Sequence, residues 1–172
     1  MARRRVPNFC FEYVEGGSED EATLRRNREV FSNIAFQPRT LVDVTVRNQR
    51  RRLLGEEIAS PFLIGPTGFS GLLSSEGDVS MARAAASAGI PFVLSNVSTT
   101  SLEDVVRRAG ADARVWMQVY MYRTREFVEK IARRAQDAGI GTLLLTTDSA
   151  IYGKREGDVR NFSGPLSLNW RN

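Results

Sequence analysis

The 172-residue sequence contains no histidine. That removes the side chain that most often exchanges protons near pH 7 and most often ligates transition metals. The single cysteine, Cys10, excludes a disulfide framework within the chain and a clustered thiolate site, and makes a reducing compartment the default. No stretch approaches the roughly 18 continuous apolar residues of a membrane span. Arg3-Arg4-Arg5 are followed by Val6-Pro7-Asn8 and not by the apolar core of a secretory signal, so the expected location is the cytoplasm. Neither Gly-x-Gly-x-x-Gly after the first apolar run nor Gly-x-x-x-x-Gly-Lys-Ser/Thr occurs, which argues against a dinucleotide fingerprint and a P-loop. Chemistry here has to come from carboxylates, tyrosines, arginines or a cofactor.

What is present suits one globular core. The chain is 42% apolar, and its 14 glycines and six prolines are scattered and do not gather into a linker. Its 24 basic and 20 acidic residues leave a net charge of +4, concentrated in Arg3-Arg4-Arg5 and in Arg47-Asn48-Gln49-Arg50-Arg51-Arg52. Basic runs this short are usually solvated turns or strand edges, so no nucleic-acid partner is expected.

Along the chain, Phe11, Val14, Leu24 and Phe31 mark a helical lead-in broken at Gly16-Gly17, with a second helix predicted to open on Glu19-Asp20-Glu21. Between residues 40 and 61, Leu41-Val42-Asp43-Val44, the basic run and Leu53-Leu54-Gly55-Glu56-Glu57-Ile58 suggest a small structural hairpin ahead of the main domain. A regular rhythm then begins. Strands are predicted at Phe62-Leu63-Ile64-Gly65, at Pro91 to Ser95, at Val115 to Tyr120 and at Gly141 to Asp148. Between them lie helices from Gly77 to Ala88, from Ser101 to Ala109 with a capping-box start, and from Thr124 through Phe127, Ile131, Ala135 and Ala138, with Glu126 four residues before Lys130. Strands this apolar belong to a covered parallel sheet, and a doubly wound sheet and a (β/α)8 barrel both fit the alternation. A barrel needs about 250 residues, more than are present.

Polar residues gather at the carboxyl ends of the predicted strands: Thr67, Ser95, Asn96, Gln118, Tyr120, Thr146 and Asp148. Loops at those ends can surround a ligand. Thr67, Ser95 and Thr146 could each be ordinary caps or turns. Gln118 and Tyr120 share a strand face, and a glutamine inside a buried strand needs hydrogen-bond partners.

Five segments in order, Tyr13 to Glu21 (with Gly16-Gly17), Phe36-Gln37-Pro38-Arg39, Gly65-Pro66-Thr67-Gly68, Gln118-Val119-Tyr120, and Thr146-Thr147-Asp148 with Gly153-Lys154-Arg155-Glu156-Gly157-Asp158-Val159-Arg160-Asn161, resemble the FMN-dependent 2-hydroxy-acid dehydrogenases and oxidases, closest to the mandelate dehydrogenase branch. The resemblance implies the N-terminal portion of a (β/α)8 barrel, about four βα units after a helical and hairpin lead-in. It divides the chain into a helical segment and barrel-closing hairpin at 1–61, the first half of an FMN-binding barrel at 62–161, and a truncated tail at 162–172. It further implies that Pro66, Thr67 and Gly68 pass beside the flavin ring, that Ser95 and Gln118 hydrogen-bond to it, and that Thr146 meets its polar edge. On the same ground Tyr13, Tyr120 and Arg155 bind the substrate and Asp148 supports Tyr120.

Glycine at position 68 resembles the members that pass electrons to a quinone or other acceptor, and mandelate-type members associate with membranes in full-length form. The family's histidine base has no counterpart here, so the expectation is a partial enzyme, inactive alone. The alternative is a non-catalytic flavin-binding or structural half-barrel that associates with another copy or a complementary chain. Such a half-barrel is expected to expose the apolar inner faces of Phe62-Leu63-Ile64, Phe92-Val93-Leu94 and Leu143-Leu144-Leu145.

Overall fold

The computed structural model describes residues 2–121, 124–149, 151 and 153–157. They fall into two compact units, one within Met1–Asn48 and Ile151–Ser167 and the other within Gln49–Ala150. The proposed tail at 162–172, and the Asp158 to Asn161 end of the last motif, lie outside the described residues.

In the first unit, α1 (Asn8–Glu15) starts on the carbonyl of Pro7, which accepts the N–H groups of Cys10 and Phe11, and it buries Cys10. It stops at Gly16, whose N–H closes on the carbonyl of Glu12 at 2.8 Å. The next helix, α2, spans Ala22–Glu29 and so begins later than expected. Glu19 and Glu21 instead adopt positive φ values of 49° and 56° in a turn. The reason is local: the Glu21 carboxylate accepts the N–H of Gly17 at 2.9 Å, a side-chain bond that competes with helical continuation.

The second unit opens with an antiparallel hairpin, β1 (Arg51–Leu53) and β2 (Glu56–Ile58), joined through Leu54 and Gly55 at φ 48° and 88°. Two left-handed central residues are what a type I′ turn requires. The basic run therefore supplies a strand itself. Leu41 to Val44 pair with no strand among the described residues; there the Asp43 carboxylate accepts the Thr45 N–H at 2.8 Å in a local turn.

The repeating part forms a parallel sheet. Strands β3 (Phe92–Leu94), β4 (Val115–Tyr120) and β5 (Leu143–Thr146) lie side by side in chain order, and Ile64 adds a single parallel bridge to Phe92. Phe62 to Gly65 is thus one bridge and not a full strand. Pro61 and Pro66 bracket it, and proline both lacks a ladder donor and restricts the residue before it. Four segments adjacent in chain order, with no reversal, form an arc of barrel wall and not a closed barrel.

Helices α3 (Gly77–Ser87), α4 (Leu102–Ala109) and α5 (Arg125–Asp137) supply the crossovers. Val79, Ala82 and Ala85 of α3, Leu102 and Val105 of α4, and Ala135 of α5 bury against Phe92, Leu94, Val115, Met117 and Val119. Small residues on α3 let that helix approach the sheet closely. Ser101 caps α4, its hydroxyl accepting the N–H of Asp104 at 3.3 Å. On the outer surface Glu126 pairs with Lys130 at 2.9 Å, and Arg134 of α5 makes a two-bond contact with Glu103 of α4 at 2.5 and 2.7 Å.

Exposure of the apolar strands is uneven. Phe62, Leu63, Leu143 and Leu145 are exposed, but Phe92, Val93 and Leu94, expected to be exposed with them, are at most 1% exposed. β3 is an interior strand with Ile64 on one edge and β4 on the other, whereas among the described residues β5 has a partner on one edge only. Exposed Leu143 and Leu145 pair with Met117 and Val119 and so share their helix-covered face.

Truncating Phe92 to alanine removes the ring at the centre of this core and is expected to lower the unfolding free energy by about 3–5 kcal/mol, read from urea unfolding of wild type and variant. A loss under about 1 kcal/mol would mean that the sheet core is not the stabilising centre. A second expectation concerns pH. The Arg134 hydrogen bonds hold the Glu103 carboxyl below its ordinary value of 4.5. A lowered folded-state pKa stabilises the fold above the unfolded value and is lost as pH falls through the folded value. Glu103→Gln should therefore narrow the difference in urea midpoint between pH 6 and pH 3; an unchanged difference would show the pair to be energetically silent.

Candidate functional site

Alternation along β4 puts Val115, Met117 and Val119 on the helix-covered face and Trp116, Gln118 and Tyr120 on the other. Gln118 is 3% exposed. Its Oε1 accepts the N–H of Asn96 at 3.0 Å and lies 3.4 Å from the Ser95 hydroxyl, while its Nε2 donates to Thr146 Oγ1 at 2.8 Å. A backbone N–H can only donate, so the bond from Asn96 fixes which end of the amide is oxygen. The parallel register brings about this meeting. Leu94 pairs with Met117 and Gln118 with Leu144, so residues just past β3 and at the end of β5 flank the same side chain.

The loop after the Ile64 bridge lies against the loop after β3. Phe69 N–H donates to the Val97 carbonyl at 3.1 Å, and Gly71 N–H donates to Thr99 Oγ1 at 3.0 Å. A Cβ on Gly68 would sit inside the Val97 Cγ2 methyl and 3.8 Å from Ser95 Oγ, so glycine is what permits the approach. Pro66 and Thr67, immediately before it, are exposed. The strand-end array thus holds Gly68, Ser95, Gln118 and Thr146 together, with Pro66 and Thr67 at its open margin. Tyr120, half-buried, pairs in register with Thr146, and Asp148 is exposed two residues beyond that rung.

Two further candidates meet in the first unit. Arg155 stacks on Tyr13, its guanidinium carbon 4.7 Å from the ring centroid, and donates to the Tyr13 carbonyl, joining positions 142 residues apart. Both side chains are half-buried. The surrounding backbone explains the pairing: Glu19 N–H donates to the Lys154 carbonyl at 2.9 Å, and Gly153 packs so closely on Ser18 that a Cβ would collide with it. Tyr13 and the turn at Ser18 and Glu19 are the surface that receives residues 153–155.

The model of the FMN-dependent dehydrogenase family matches residues 2–172. The chain belongs to that family. It is 44% identical over 168 residues to the (S)-mandelate dehydrogenase of Pseudomonas putida, covering 97% of this chain and 42% of that protein. It is also 44% identical over 172 residues to a putative L-lactate dehydrogenase of Mycobacterium tuberculosis, covering 99% of this chain and 41% of that one. A crystal structure of the monotopic membrane protein (S)-mandelate dehydrogenase superposes with a TM-score of 0.88 at 42% identity, over 98% of this chain and 45% of that chain. The chain therefore spans less than half the length of these relatives, and its arc of βα units corresponds to part of the family's (β/α)8 barrel. No helix among the described residues is long and apolar enough to cross a membrane.

FMN is the cofactor of this FMN-dependent dehydrogenase family. The donor set at the strand ends fits it. The flat ring's polar edge carries carbonyl oxygens and ring nitrogens, and the array's primary amide and hydroxyls are uncharged polar groups that match it. Sequence reasoning placed Ser95, Gln118 and Thr146 individually but missed the bond from the Asn96 N–H that orients the amide. A backbone donor carries no residue-type signal.

Replacing Gln118 with leucine keeps the volume and removes every one of these bonds. The expected result is a loss of about 1–3 kcal/mol in unfolding free energy, because partly buried groups lose their partner. Chemical denaturation measures it, and a neutral result would dismiss the amide as an organising group.

Proposed function

We propose that this chain is the FMN-gripping, carboxylate-binding front portion of an FMN-dependent 2-hydroxy-acid dehydrogenase of the mandelate type, whose complete form oxidises a 2-hydroxy acid to the 2-oxo acid. The observation that carries the reading is the joining of Tyr13 and Arg155 across 142 positions in one unit. A phenol and a guanidinium are the pair a small organic acid needs. The guanidinium grips a carboxylate through two parallel charge-assisted bonds, and the hydroxyl adds direction without charge.

In this reading, Ser95, Gln118 and Thr146 hydrogen-bond the polar edge of the ring, and Pro66, Thr67 and Gly68 run alongside it. Tyr13, Tyr120 and Arg155 are the substrate-binding residues of this reading, and Asp148 supports Tyr120. Bound FMN supplies the electron-accepting centre that these side chains lack. Residues 1–61 form the lead-in and barrel-closing hairpin, and 62–161 the first half of the barrel. Glycine at position 68 favours a quinone or similar final acceptor, and membrane association belongs to the full-length form. With no histidine in the sequence, the proton acceptor is not supplied here, and the 172 residues alone do not turn over substrate.

A second reading, a non-catalytic half-barrel completed by another copy or a complementary chain, is favoured by the exposure of Phe62, Leu63, Leu143 and Leu145. A sizing column run with and without excess FMN separates the two: a discrete dimer that binds flavin supports this one.

The test of the first reading is mandelate-dependent reduction of an artificial electron acceptor by a form carrying a complete barrel. Arg155→Met in that form should lower kcat/KM by about 100-fold, equivalent to about 3 kcal/mol of lost charge-assisted binding, with flavin content unchanged. Parallel loss of flavin would instead assign Arg155 to the cofactor or to folding. Turnover of mandelate by the purified 172-residue chain, free of host enzyme, would overturn the assignment of proton transfer to residues outside it.

A further inference from the structure

Asp78 is the one charged side chain buried among the described residues, at 1% exposure. It lies in the first turn of α3, where unpaired helix N–H groups favour a negative charge. Its Oδ2 accepts the Ser98 hydroxyl at 2.7 Å, while its Oδ1 has no hydrogen-bond partner among the described residues. Burying a carboxylate on so few bonds costs stability that a packed apolar side chain would not. What it contributes is direction.

The bonds leading away from it show where that direction is used. Ser98 Oγ also accepts the Thr100 N–H at 3.0 Å and lies 2.8 Å from the Thr100 carbonyl. A hydroxyl has one proton, and a carboxylate is the stronger acceptor, so Ser98 donates to Asp78 and receives from Thr100. Ser98 N–H in turn donates to the Ser95 carbonyl at 3.0 Å, and Val97 N–H to Ser95 Oγ at 3.2 Å. This closes a turn whose other exit is the Asn96 N–H on Gln118 Oε1 at 3.0 Å. The same turn carries the Val97 carbonyl and Thr99 hydroxyl that hold Phe69 and Gly71.

We propose that Asp78 is a positioning residue: by fixing Ser98 it sets the turn at 95–100, and so the aim of the Asn96 N–H and Ser95 hydroxyl at Gln118. The inference rests on the reading of Ser95, Gln118 and Thr146 as the flavin-side array and extends it to a residue on α3 outside that array.

The test uses the full chain labelled with nitrogen-15. Asp78→Ala should shift the Gln118 side-chain amide resonances and speed hydrogen exchange at the Asn96, Val97 and Gly71 amides by about tenfold or more, with the Val105 and Ala135 amides unchanged. Asp78→Asn, which retains an oxygen for Ser98, should restore wild-type shifts and rates. Ser98→Ala should reproduce the turn-specific acceleration, and it decides the matter if Asp78→Ala does not fold. Titration with FMN, followed by flavin fluorescence, should show about tenfold weaker binding in Asp78→Ala and recovery in Asp78→Asn. An unaltered turn in the truncated variants, equal acceleration throughout α3 and β3, or failure of asparagine to restore the turn would each overturn the proposal. Absence of FMN binding by wild type, with the turn responding as described, would reject the flavin reading and leave the positioning role of Asp78 standing.

Discussion

A primary amide buried inside a parallel strand has to find partners, and the second unit is arranged around how Gln118 finds them. Its oxygen takes a backbone N–H from the loop after β3, and its nitrogen reaches a hydroxyl at the end of β5. One side chain therefore ties the ends of three adjacent strands together. The cost of leaving any of those groups dry and unpaired makes the tie directional in a way that apolar packing cannot be. The loops beyond the strands inherit that order: the turn after β3 meets Gln118 at one end, Asp78 through Ser98 at the other, and the loop containing Gly68 along its side.

Below this polar edge the physics changes. The helix-covered face is held by Val79, Ala82 and Ala85 against Phe92 and Leu94, where small side chains on α3 allow close approach and burial near zero exposure. Ion pairs between helices, such as Glu103 with Arg134, lie on the solvent side and contribute far less than the packing beneath them. The sheet supplies rigidity, and its carboxyl edge supplies the polar groups. This is the division of labour that lets a parallel βα array present a ligand site without opening its core. The first unit solves a different problem, bringing a tyrosine from α1 to an arginine far along the chain, and does so with the turn at Glu19 to Glu21 and a few backbone bonds.

Much of this could be read before any coordinates. The capping serine at 101, the Glu126–Lys130 pair, the α3 face of Val79, Ala82 and Ala85, and the strands near 92, 115 and 143 follow from spacing that physical periodicity enforces. Three segments depart from their local pattern. Glu19 to Glu21 look like a helix start, but the Glu21 side chain competes for a backbone donor. Phe62 to Gly65 looks like a strand, but flanking prolines leave it one bridge. Leu41 to Val44 have the composition of a strand and no strand partner among the described residues.

The alternation of elements, the family, the residue types at the strand ends and the lack of histidine are all legible in the order of residues, because each depends on local pattern along the chain. The orientation of Gln118 by a backbone N–H, the reach of Asp78 to Ser98 and the stacking of Arg155 on Tyr13 exist only in the folded chain. Those contacts join positions between 20 and 142 residues apart. Their partners are fixed by strand register and loop packing, which no pattern of neighbouring residues encodes.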